Sequence, residues 1–372
     1  MPESRTIVIG AGPAGLAVGA CLARQGIPCL ILEQGAGVGA AWRGHYDRLC
    51  LHTDKAHSAL PFVRWPRSAP RYPSRLQLIE YLEAYAAGFR LQTRFRQRVL
   101  AARRVGGGWE VQTADACHTG SQLVVASGYN REPCIPAWPG QASFRGPLLH
   151  SCAYRNGQPF RNLKVLVVGF GNSGGEIAID LCEHGAQASL AVRGPVNVVP
   201  RDLFGIPIVA IAAAQERLPA RVADALNALI LRLAVGDLTR CGLHPHTYGP
   251  LTQIRREARI PLVDVGTLAL IRRGAIALYP AVAEFTADEV AFSDGRHARF
   301  DAVILATGYR ARVHEFLEGA AAAHDAAGTP YSSGRESQVP GLYFCGYRVT
   351  AAGMLREIAR EARRIGSAIA SD

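Results

Sequence analysis

Lysine is almost missing from this sequence of 372 residues: of its 41 basic residues, only Lys55 and Lys164 are not arginine. The arginines are scattered and no run of five basic residues occurs, so the net charge of +11 builds no nucleic-acid tract. No nucleic-acid partner is expected, and bound anionic cofactors would take up part of the charge. The nine cysteines are odd in number, and no two stand in a CxxC. That excludes a disulfide scaffold, a zinc ribbon and a CxxC redox dithiol. No metal site is expected either, because His244 and His246 flank a proline without a third ligand and read as a surface loop. Long apolar runs are lacking too. Residues 206–214 and 226–235 are the most apolar, and both are too short to span a bilayer. The first five residues show no leader pattern and lead straight into a strand. These absences predict a cytoplasmic chain without integral membrane association; nothing in them sets an oligomeric state.

What is present suits two domains with full-sized cores, since 49% of residues are hydrophobic and 19% charged. Short apolar runs lead into glycine-rich turns and helical patterns, the mark of βαβ units around a parallel sheet. Residues 6–9, 16–25 and 28–32 read as strand, helix and strand, and residues 164–168, 176–184 and 188–192 repeat that order. A helix is expected at 77–87. Residues 98–104 with 109–113, and 277–285 with 289–293, read as antiparallel ribbons. Each ribbon is followed by a buried strand ending near a glycine, at 122–128 and 302–308, which strengthens the duplication. A strand at 341–345 and a helix at 354–370 close the chain. The expected fold is α/β, with two Rossmann-like dinucleotide-binding domains of parallel sheets and antiparallel ribbons. One is split into residues 1–157 and 297–372; the other, 158–296, is inserted in it. The charges Glu216, Arg217, Arg221, Asp224 and Arg232 fall on one side of residues 206–235, which suits a lid over a substrate tunnel.

Two glycine turns carry the chemistry. Gly10, Gly12, Ala14 and Gly15 lie in a GxGxxG turn between a strand and a helix. The first glycine permits the turn, the second lets backbone approach a pyrophosphate, and the third lets helix and strand pack closely. Glu33 ends the next strand, 18 residues after Gly15, placed to accept ribose hydroxyls. The second turn holds Gly169, Gly171, Asn172, Ser173 and Gly174, and its next strand ends at Arg193, 19 residues on. A carboxylate would repel a 2′-phosphate, whereas a guanidinium pairs with it through two hydrogen bonds. The first site therefore suits FAD or NAD and the second NADPH, an arrangement in which a nicotinamide reduces a flavin.

The fate of the electrons turns on the segment before the second turn. Phe144, Gly146, His150 and Tyr154 carry the spacing FxGxxxHxxxY, the fingerprint of flavin-containing monooxygenases, and here the sequence resembles that family. Residues 42–55, 72–74, 81–86, 263–268 and 305–309 are similar to its plant YUCCA-type branch. The resemblance implies oxygenation of a small organic substrate with FAD, NADPH and O2 through a flavin C4a-hydroperoxide that retained NADP⁺ shields. It implies FAD contacts for the first glycine turn, Glu33 and Trp42. Gly169, Gly171, Asn172, Ser173, Gly174 and Arg193 would hold NADPH, with Thr307 and Gly308 near both cofactors. His52 is the candidate catalytic residue, standing where animal members carry an asparagine near the flavin; an imidazole there can donate to oxygen or titrate near neutral pH. His150 reads as a structural residue of the linker. Tyr154, where a tryptophan would mark Baeyer–Villiger enzymes, demotes that chemistry. Gly346 and Tyr347 stand where many two-nucleotide flavoproteins carry an acid for the flavin chain. Oxidative decarboxylation of an aryl 2-oxo acid such as indole-3-pyruvate leads, with N- or S-oxygenation of an amine or sulfide as the alternative. From other classes, an electron-transfer flavoprotein would need a dithiol or docking patch, and a silent redox sensor would carry disabled cofactor turns.

Overall fold

The apolar runs form the centres of two sheets. The structure, a computed structural model, describes residues 4–372. Residues 1–3, on which part of the leader-free reading rests, lie outside the described residues. In the first sheet Ser4–Ile9 runs parallel to Cys29–Leu32 on one side and Cys117–Val125 on the other. Gln92–Arg94 extends one edge, and Leu342–Phe344 pairs with Cys117–Val125. The ribbon Val99–Val105 with Gly108–Thr113 continues this sheet in antiparallel sense. Helices Pro13–Ala23, Arg75–Gly88 and Met354–Ser371 cover one face, and the ribbon and the segment 311–323 cover the other. Strands so enclosed must be apolar on both sides, which is why Ile7, Val8, Leu123 and Val124 form unbroken, fully buried runs.

Local chemistry sets the helix ends. Pro13 starts the first helix three residues before its expected start, because its fixed φ suits a first turn. Ser74 accepts from the Gln77 N–H while the Gln77 side chain accepts from the Ser74 N–H, so the next long helix starts at Arg75. The closing helix approaches the first one at Gly366, where a Cβ would lie 2.9 Å from that of Cys21.

The second sheet is wholly parallel, in the order Ala277–Tyr279, Gln187–Ala191, Lys164–Val168, Ala302–Leu305, Leu148–His150. It reaches beyond residues 158–296 on both sides, since its edge and one inner strand come from 148–150 and 302–305. The strand expected over 277–285 is broken. Pro280 offers no N–H, so Ala277–Tyr279 ends in the parallel sheet and Val282–Phe285 starts afresh against Glu289–Phe292. With His297–Arg299 that pair makes a small separate sheet, unlike the first ribbon, which stays continuous with its parent sheet.

Residues 206–235 form two helices, Ile208–Ala214 and Ala220–Val235. Val209, Ala212 and Leu231 face the large cavity, while Val222, Leu226, Leu229 and Leu233 are exposed on the far side. The segment therefore walls the cavity, but its acidic residues do not form a solvated side. Glu216 accepts from Arg360 at 2.6 and 2.8 Å and from Arg356 at 3.3 Å. Asp224 caps the helix Pro250–Glu257, accepting from the Leu251 and Thr252 N–H groups.

Candidate active site between the two glycine turns

A cavity of about 1570 Å³ lies at the carboxyl ends of both parallel sheets, where open α/β folds bind ligands. It exceeds the roughly 300–1,000 Å³ usual for one small ligand. Of the residues expected at the site, Gly10, Gly12, Ala14, Glu33, Trp42, His52, Gly169, Gly171, Asn172, Ser173, Arg193, Thr307 and Gly308 all line it. Gly15 and Gly174 sit behind it.

The two turns are built alike. The opening glycines have φ of +107° at Gly10 and +120° at Gly169, and a Cβ on either would lie within 2.6 Å of the Ala126 or Ala306 carbonyl oxygen. A Cβ on Gly15 would meet the Gly10 carbonyl oxygen at 1.9 Å, and one on Gly174 the Gly169 carbonyl oxygen at 2.1 Å. At the middle positions, Gly12 and Gly171, a Cβ would meet nothing within 4 Å. Close packing thus dictates the outer glycines, and the middle ones leave space before a helix N-terminus whose N–H groups have no side-chain cap. That is a cradle for a pyrophosphate, and there are two.

Charge distinguishes them. The Glu33 carboxylate accepts from the Ala11 and Gly35 N–H groups, both at 2.7 Å, which fixes it at the first turn with lone pairs to spare for hydroxyls. Arg193 is exposed on the cavity wall and makes no ion pair or hydrogen bond recorded among the described residues. The residues present therefore fit FAD at the first turn and a 2′-phosphorylated nicotinamide nucleotide at the second.

The linker fingerprint is a brace. Cys152 N–H donates to His150 Nδ1 at 3.2 Å, so Nε2 carries the proton and donates to the Gly308 carbonyl at 3.0 Å. The same carbonyl accepts from the Cys134 N–H, and the Thr307 hydroxyl donates to the Cys134 carbonyl at 2.5 Å. Tyr154, buried, donates to Asp180 at 2.6 Å, and Asp180 also accepts from the Gly157 N–H. Phe144 meets Phe285 edge-on, and a Cβ on Gly146 would lie 2.3 Å from the Asp301 carbonyl oxygen.

His52 and Trp42 also line the cavity. Trp42 belongs to the short helix Ala40–Gly44 and meets His45 edge-on. His52 Nε2 lies 2.5 Å from Glu176 Oε1, across 124 residues of chain. Glu176 is buried, one turn into the helix Asn172–Glu183. Asn172 accepts from the Val263 N–H through its side chain, which locks the start of that helix. The Tyr46 hydroxyl is within hydrogen-bond reach of Ser173 and Glu176, and burial and then the Glu176 charge hold it well above its usual pKa. Glu176 and Asp180 were not among the expected site residues, and Asn172 was expected only as a cofactor contact; the one signal for all three was their place on the helix after the second turn. One expectation changes. His246 is not a plain surface residue, since it stacks on Tyr248 and reaches the cavity. Tyr347 is buried and meets the Ser127 hydroxyl at 2.9 Å, leaving Gly346 at the cavity.

Comparison with known proteins agrees with this geometry. A family model described as pyridine nucleotide-disulphide oxidoreductase matches residues 7–202. The probable indole-3-pyruvate monooxygenase YUCCA4 of Arabidopsis thaliana is 39% identical over 92% of this chain and 84% of its own length. The chain belongs to the YUCCA-type flavin-containing monooxygenases. A second member, indole-3-pyruvate monooxygenase YUCCA1 of Oryza sativa subsp. japonica, is 41% identical over 84% of this chain and 79% of its own. A solved flavin monooxygenase (a mutant) from Stenotrophomonas maltophilia has a TM-score of 0.79 and 25% identity, covering 100% of this chain and 99% of that one. This YUCCA-type chain is thus an α/β enzyme with two dinucleotide-binding domains, an FAD-dependent NADPH monooxygenase of small molecules. No helix among the described residues is long and apolar enough to cross a membrane.

Proposed function

We propose that this monooxygenase converts an aryl 2-oxo acid such as indole-3-pyruvate into the acid one carbon shorter. What carries the reading is one cavity in which a fixed carboxylate, Glu33, marks one nucleotide cradle and an exposed guanidinium, Arg193, without a recorded partner among the described residues, marks the other. The named activity of the plant relatives supplies the substrate class. The sum of the reaction is oxo acid, O2, NADPH and a proton giving the shorter acid, CO2, NADP⁺ and water. Bound flavin and NADPH supply oxygen activation and the hydride.

The chain's own residues bind, orient and exclude water. Gly10, Gly12, Ala14 and Gly15 would receive the FAD pyrophosphate, Glu33 its ribose, and Trp42 would pack against the flavin side of the cavity. Gly169, Gly171, Asn172, Ser173 and Gly174 would cradle the NADPH pyrophosphate, with Arg193 on the 2′-phosphate. Thr307 and Gly308, tied to Cys134 and His150, would hold the wall where the two cofactors meet. His52 is the residue we assign to proton handling. The flavin half comprises 1–157 and 297–372 and the nicotinamide half 158–296, with strands 148–150 and 302–305 built into the second sheet. Nine free thiols favour a reducing compartment, the cytoplasm.

The test is stoichiometric. Purified protein with FAD, NADPH and O2 should release one CO2 per NADPH oxidised when indole-3-pyruvate is added. Oxygenation of amines or sulfides with no response to the oxo acid would replace this substrate class with N- or S-oxygenation. Turnover sustained without O2 by a protein acceptor would replace it with electron transfer.

A further inference from the structure

The contact between His52 and Glu176 joins the two halves at the cavity. His52 lies on the segment after Trp42, on the flavin side, and Glu176 on the helix that follows the nicotinamide turn. Their separation is 2.5 Å, with the carboxylate group of Glu176 almost wholly shielded from solvent. A carboxylate oxygen only accepts, so His52 Nε2 must carry the proton, and the neutral ring then has a single acceptor, Nδ1. No protein partner of Nδ1 is recorded among the described residues, and the ring lines the cavity.

We propose that Glu176 is a positioning residue that holds His52 in its Nε2–H tautomer, leaving Nδ1 as the proton acceptor on the flavin side of the cavity. This rests on the proton-handling role given to His52 above and sharpens it: the neutral ring accepts at the cavity and does not donate there. A proton taken from an O–H group in the cavity goes to Nδ1, and the imidazolium that results stands against the Glu176 carboxylate, which offsets its charge. The proton then passes from Nδ1 to the oxygen that leaves the cavity as water in the overall reaction, and the ring returns to neutrality. The other titratable groups around the pair are the Tyr46 phenol, within hydrogen-bond reach of Glu176, and the Cys50 thiol; Tyr309 acts on Tyr46, and Arg48 and Arg201 act on Cys50. Burial raises both Tyr46 and Cys50, so neither brings a charge to the pair near neutral pH.

Two measurements decide it. In FAD-loaded protein with ¹⁵N-labelled histidine, the His52 signal (found by its loss in His52→Asn) should show a protonated Nε2 and a bare Nδ1. A protonated Nδ1 with a bare Nε2 overturns the proposal, whatever the substrate proves to be. In kinetics, Glu176→Gln should lower kcat about 100-fold, the low end of what a positioned acid–base group contributes, and change the pH profile. The KM for NADPH should stay within about twofold, and in the His52→Asn background Glu176→Gln should change kcat by less than about twofold. A full effect in that background overturns the proposal, because Glu176 would then act without His52. If the oxo acid is not oxygenated, the substrate reading fails, and the tautomer result still stands or falls alone.

Discussion

Arg193 is a guanidinium with room before it and no partner recorded among the described residues. A phosphate there gains two charge-assisted hydrogen bonds, and removing one charged partner costs about 1.5–3 kcal/mol. Arg193→Ala should therefore raise the KM for NADPH roughly 10- to 100-fold and leave that for NADH within about twofold. Equal changes for the two nucleotides in steady-state kinetics would remove the residue from that role. At this scale much of the site was legible. The glycines and Glu33 follow from local backbone geometry, which a sequence displays directly. Glu176 and Asp180 did not show, because their partners, His52 and Tyr154, are distant in the chain and meet only after the halves dock. Residues 42–55 were marked as a segment, but nothing in them says which atom His52 faces.

The linker strand Leu148–His150 and the turn after it are the element on which the second sheet closes. Tyr154→Phe should leave the Asp180 oxygen short of one charge-assisted hydrogen bond in a buried setting and cost about 1.5–3 kcal/mol, read from denaturant midpoints. A midpoint shift near zero would show that water replaces the hydroxyl. His150 gives the same element a pH dependence. Burial lowers its pKa below the ordinary 6.5, although the bond to the Gly308 carbonyl pulls the other way. The unfolded chain then takes up the proton first, so the contribution to stability is complete above about pH 6.5 and is lost as pH falls through the folded value. Thermal midpoints should drop on acidification from about pH 7 to 5, and His150→Gln should flatten that slope. Elements were legible where one signal governed them, as with the enclosed strands of both sheets. The segment 277–285 was misread because alternation and apolarity run through Pro280, and only the missing N–H tells that two sheets share it.

At the scale of the molecule, two halves face each other across a space of about 1570 Å³. Direct ties across them include Tyr72 to Asp202 at 2.6 Å, Arg48 to Glu183, Glu216 to Arg360, Tyr154 to Asp180 and His52 to Glu176, besides the pairing of Ala302–Leu305 with Lys164–Val168. A nucleotide bound in the gap would touch both halves and add to that cohesion. FAD supplied at about 100 times its Kd should add roughly 2.7 kcal/mol to unfolding, and NADP⁺ should raise the thermal midpoint further. Calorimetry showing no shift with either nucleotide would contradict the placement of both cradles. The duplication of the halves was legible because each repeats strand, glycine turn, helix and strand. The reach of the second sheet to 148–150 and 302–305 was not, since sheet order is set by packing between distant runs.

The fingerprint segment spends its side chains on the frame: Phe144 on Phe285, His150 on Gly308, Tyr154 on Asp180. An engineer wanting a new substrate can leave that stretch untouched and vary Val209, Ala212 and Leu231, whose aliphatic groups shape the chamber without carrying the scaffold's weight.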